Sequence, residues 1–96
     1  MLRFTIPVEA GNDAVKNGSL GKVMETLMEL LKPEAAYFLP DGGERSGMIF
    51  FDMKDSSDIP VIAEPLFMEL GAAVEFVPVM NGDDLKKGLG RVMSGG

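Results

Sequence analysis

Ninety-six residues with 46% apolar and 25% charged side chains make one globular domain and leave no room for two. A net charge of -6, with nine Lys and Arg against fifteen acids, argues against nucleic-acid partners and anionic membrane surfaces. The absence of cysteine and histidine removes disulfides, thiolate nucleophiles, the usual zinc and haem ligands and the commonest general base.

In chain order, Leu2, Phe4, Ile6 and Val8 alternate with Arg3, Thr5, Pro7 and Glu9, the pattern of a half-buried strand. Ala10-Gly11-Asn12-Asp13 breaks it, and Asn12 or Asp13 is placed to cap a helix. Leu20, Val23, Met24, Leu27, Met28, Leu30 and Leu31 recur at helical spacing, and Pro33 stops the run. Asn17-Gly18-Ser19 interrupts this region, so the helix is expected to start near Ser19. A helix running through it would instead align Ala14, Gly18 and Gly21 in one stripe for close approach.

Glu34 to Leu39 reads as a strand, Asp41-Gly42-Gly43-Glu44 as a tight turn, and Arg45 to Met53 as the hairpin partner. A two-residue Gly42-Gly43 loop pairs Tyr37 with Met48 and Phe38 with Gly47. The run Met48-Ile49-Phe50-Phe51 is apolar at odd and even positions alike, so both of its faces are expected to be covered. Asp55-Ser56-Ser57-Asp58 starts a helix carrying Ile59, Ile62, Ala63, Leu66, Phe67 and Leu70, with a kink or break expected at Pro65 and an end at Gly71. Val74, Phe76, Pro78 and Met80 alternate in a last strand, with Pro78 suited to an edge. Asn81-Gly82-Asp83-Asp84 caps a short helix weakened by Gly88 and Gly90, and Ser94-Gly95-Gly96 reads as a loose tail.

This β-α-β-β-α-β order with a short C-terminal helix predicts an α+β, ferredoxin-like sandwich with two helices on one face of a four-stranded antiparallel sheet. Leu2, Phe4, Ile6, Phe38, Ile49, Phe51 and Phe76 are expected to face the helices. Arg3, Thr5, Tyr37, Leu39, Met48, Phe50, Glu75, Val77 and Val79 fall on the other side. That side is too apolar to stay wet, which points to a homodimer with sheets face to face.

The stretch Val74-Glu75-Phe76-Val77-Pro78-Val79-Met80, followed by Asn81-Gly82-Asp83-Asp84, is similar to the ending of small uncharacterised bacterial members of the dimeric α+β-barrel superfamily. The resemblance implies sheets paired into a barrel. It brings no catalytic signature, because the superfamily holds cofactor-independent monooxygenases, isomerases, haem peroxidases and plain binding proteins. The haem branches do not carry over without histidine, nor do schemes that use Trp.

Tyr37, Asp52 and Glu64 are the candidate catalytic residues, as oxyanion donor, proton acceptor and kink-directed carboxylate. Arg3, Tyr37, Met48 and Phe50 are the candidate ligand-binding residues. The plainer reading pairs Arg3 with Glu75 across strands, makes Asp52 a strand end, and leaves Glu64 and Arg45 in water. Eight methionines suit an adaptable apolar pocket or ordinary core filling. Arg45-Ser46-Gly47-Met48-Ile49-Phe50-Phe51 faintly echoes an RNA-recognition strand, but its aromatics are incomplete and the net charge is wrong.

The sequence thus leads to a soluble, cytoplasmic binder of a small apolar molecule, without cofactor or metal. A cofactor-independent oxygenase or isomerase and a non-catalytic protein-interaction module are the alternatives.

Overall fold

The computed structural model describes residues 1–95, so Gly96 of the expected tail lies outside the described residues. The elements are β1 (Leu2–Ile6), α1 (Val8–Asn17), α2 (Ser19–Leu31), β2 (Ala35–Asp41), β3 (Glu44–Phe50), α3 (Asp58–Leu70), β4 (Ala73–Phe76) and α4 (Gly82–Met93). The chain is α+β, with a four-stranded antiparallel sheet in the order β2-β3-β1-β4.

β1 alternates as expected, with Leu2, Phe4 and Ile6 buried and Arg3 exposed. It stops two residues early. Pro7 lies extended with φ -57 and ψ 144, and its carbonyl accepts from the Gly11 amide at 2.8 Å, so α1 starts at Val8. Asn12 and Asp13 are therefore inside a helix and cap nothing. α1 buries its narrow Gly11 and Ala14 side. Gly18 ends it in the left-handed region at φ 82, where glycine meets no Cβ penalty, and α2 restarts at Ser19 under the Asn17 side chain. Ala14, Gly18 and Gly21 consequently form no continuous stripe.

β2 and β3 pair with Tyr37 opposite Met48 and Phe38 opposite Gly47. The Gly42-Gly43 loop holds both residues at positive φ, 62 and 83, the primed geometry whose twist suits a hairpin. β3 lies inside the sheet, between β2 and β1.

α3 passes through Pro65 without a break. Pro65 and Val61 are both exposed, so water can serve the Val61 carbonyl that a proline cannot. Gly71 closes the helix at φ 60.

The last strand is shorter than expected. Val77 still bonds to Met1 in both directions, at 2.8 and 2.7 Å, but Pro78 has no amide and pairing ceases. Val79 and Met80 leave the sheet as an exposed segment. α4 follows under a complete capping box, Asn81 accepting from the Asp84 amide and Asp84 from the Asn81 amide. The box outweighs Gly88 and Gly90, yet α4 buries no residue.

Leu2, Phe4, Ile6 and Ile49 of the sheet meet Ala14, Leu27, Ile62, Leu66 and Leu70 of α1, α2 and α3 in one core. These three helices therefore share one face of the sheet. Phe38 departs from expectation: it points to the helix side but is 58% exposed, because no helix covers the β2 edge.

Candidate functional site

The outer sheet face carries one cross-strand row, Tyr37, Met48, Arg3 and Glu75, drawn from β2, β3, β1 and β4 in turn. Phe50 lies two residues from Met48 on the same face, and its ring meets Tyr37 edge to face at 6.4 Å. The four candidate binding residues Arg3, Tyr37, Met48 and Phe50 thus share one surface. Tyr37 is exposed, while Met48 and Phe50 are half-buried.

Arg3 does not pair with Glu75, although the two stand opposite each other. Its Nη2 donates to Asp41 Oδ2 at 2.7 Å, an ion pair across the sheet to the end of β2. Both side chains are nearly half exposed, so the pair is worth about 0–1 kcal/mol.

The catalytic candidates do not converge. Tyr37 belongs to the outer face. Glu64 is exposed on α3, which packs on the inner face. Asp52 lies past the end of β3 and lines two open clefts, one with Lys54, Asp58 and Leu30, the other with Glu34, Val79 and Met80. Among the described residues, no three Asp or Glu side chains gather in a way that would hold a metal ion.

The inner face offers a different arrangement. Phe4 and Ile6 of β1, Leu20 and Met24 of α2, and Phe38 and Pro40 of β2 line an open cleft of about 400 Å³. Its surface is almost wholly apolar. Gly47 explains its shape: a Cβ there would lie 2.4 Å from the Phe4 ring, so Phe4 occupies the space a side chain would fill. Phe38 then stands as the far wall, half in water. The cleft lies in the size range of small-molecule sites, roughly 300–1,000 Å³.

Two polar residues border it. Ser46 is 5% exposed and spends its hydroxyl on the Glu44 carbonyl at 3.1 Å. Arg45, expected to be solvated at the hairpin tip, is instead half-buried and reaches back to α1. Its Nη1 donates to Asn12 Oδ1 at 3.2 Å and rests where a Gly11 side chain would be, 2.7 Å from the position of a Cβ. Gly11 is what lets the guanidinium lie against the helix.

Sequence periodicity placed Phe38 in the core and missed this cleft. The available signal was the Phe38–Gly47 pair, which puts a ring beside an empty position on the helix side.

No helix is long and apolar enough to cross a membrane among the described residues. Compared with known proteins, the chain matches no family model, no curated protein sequence and no solved structure.

Proposed function

We propose that this protein binds a small, largely apolar molecule in the cleft between the inner sheet face and α2. The observation that carries the reading is the exposed Phe38 ring facing Phe4, Leu20 and Met24 across an apolar space with no side chain at Gly47. Apolar lining excludes water poorly matched to it, and closing Phe38 over a ligand removes further apolar surface from solvent.

The strand order β2-β3-β1-β4, with the α1–α2 and α3 crossovers on one side, supports a ferredoxin-like sandwich of the dimeric α+β-barrel kind. Tyr37, Leu39, Met48 and Phe50 on the outer face support a homodimer through that surface.

The test is native mass spectrometry of freshly purified protein, joined to titration with an environment-sensitive apolar fluorophore. We expect one fluorophore per chain, displaced by any retained ligand. Phe38→Ser should weaken fluorophore binding about five- to tenfold, the worth of roughly half a buried aromatic side chain. Equal affinity in the variant, or no binding at all, would refute the cleft as a site.

A further inference from the structure

Resting on the reading of the outer sheet face as a contact between copies, we infer that α4 is an arm exchanged between them. Its apolar stripe closes on the β2 edge of a second copy, beside Tyr37.

α4 stands away from the body of its own chain. The radius of gyration is 16.0 Å, where a compact chain of this length has about 13 Å, and the molecule measures 55 × 27 × 18 Å. Leu85, Leu89, Val92 and Met93 recur at helical spacing along one side of α4 and are 48% to 86% exposed. An uncovered helix of 12 residues is marginal in water, and Gly88 and Gly90 each weaken it by about 1 kcal/mol. The capping box offsets part of that cost, and a surface that covers the stripe supplies the rest.

Charge points to another copy as that surface. Of the nine basic and fifteen acidic side chains, α4 holds Lys86, Lys87 and Arg91, with its acids Asp83 and Asp84 confined to the first turn. Residues 1–80 are left with six basic against thirteen acidic side chains, an anionic body for a cationic arm. Two arms packed on each other would instead bring like charges together. The β2 edge combines what the arm requires. Tyr37 is 61% exposed and Leu39 half-buried on its outer face, with Glu34 and Asp41 at its ends and Glu44 across the turn.

Position and area agree with this occupant. Val79 and Met80 share a cleft with Phe50 and lead directly into α4, so the arm leaves from the margin of the outer face. On that face Leu39, Met48 and Phe50 are already half-buried, and with Tyr37 they fall short of the roughly 800 Å² per partner of a standard interface. Two arms, each on the other copy's edge, enlarge the contact twice over and keep it two-fold symmetric.

The experiment uses the lack of cysteine, which lets Ser94→Cys carry a single nitroxide at the end of the arm. Chains labelled in this way are mixed with chains that carry carbon-13 methionine and no nitroxide. We expect the Met48 methyl signal of the second kind to broaden, while Met68 on α3 stays sharp. In sedimentation equilibrium, Leu89→Asp should weaken the dimer about ten- to hundredfold, because the change enters once on each arm. Broadening of Met48 only when both labels sit on one chain would overturn the exchange and return α4 to its own sheet. A dimer unchanged by Leu89→Asp, with no broadening in the mixture, would overturn the arm and leave the outer-face contact standing. A native monomer would overturn both, and its binding to phosphatidylglycerol vesicles through Leu89 would assign α4 to a lipid surface.

Discussion

Gly47 sets the shape of the inner face more than any larger residue does. The Phe4 ring lies 2.4 Å from where its Cβ would be, and Phe38 approaches the same point from the next strand. Gly47→Ala must therefore push Phe4 out of a well-packed position, at a cost of about 1–3 kcal/mol. A urea unfolding curve should show a lower midpoint with an unchanged slope; an unchanged midpoint would mean that Phe4 moves freely. The Arg3–Asp41 pair is the opposite case. Asp41→Asn should alter stability by less than about 1 kcal/mol, with the difference shrinking further in high salt. The sequence shows Leu2, Phe4 and Ile6 as core because alternation is a local property. It does not show that Arg3 chooses Asp41 over Glu75, or that Arg45 reaches Asn12, because both choices depend on how distant segments are brought together. For the same reason the cleft residues Phe38 and Arg45 were not legible as a site.

At the scale of elements, the hairpin register was fully readable: a two-glycine loop admits few pairings, and Tyr37 meets Met48 as the loop length requires. The N-terminal third was read less well. Pro7 ends β1 and begins α1 in one step, and nothing local in Ala10-Gly11-Asn12-Asp13 reveals that its glycine is buried against Arg45. Tertiary packing there overrides a turn-like composition. α4 is the reverse case, a helix whose local signals are complete and whose packing is absent. Its capping box holds the first turn, while Leu85, Leu89, Val92 and Met93 stay exposed. In the dilute monomer, ending the chain after Met80 should therefore leave the unfolding free energy of the remainder within about 0.5 kcal/mol of the full protein. A large loss there would show that α4 is covered by its own chain.

Over the whole molecule, apart from the exposed side chains of the helices, apolar surface is left on each side of the sheet. The inner side holds the cleft at Phe38, closed by α2 on one flank and open at the hairpin edge. The outer side holds Tyr37, Leu39, Met48 and Phe50 beside the Arg3–Asp41 pair. The first is concave and small, the form of a ligand site, and the second is broad, the form of a contact between chains. The central strand explains why both exist: β3 carries apolar residues toward each face, so the helices satisfy only half of it. Phe50→Asp should abolish self-association in sedimentation equilibrium while leaving fluorophore binding intact. A native protein that sediments as a monomer would remove the outer face from this division of roles.

The most direct test is nuclear magnetic resonance of the methionine methyl groups, labelled with carbon-13, while decanol is added as an apolar probe. The methionines sample the two faces separately: Met24 lines the cleft, Met48 sits on the outer sheet face, and Met68 is exposed on α3. Binding in the inner cleft shifts the Met24 signal and leaves Met48 and Met68 in place. A shift at Met48 with Met24 unmoved would put the ligand on the outer face and contradict the account.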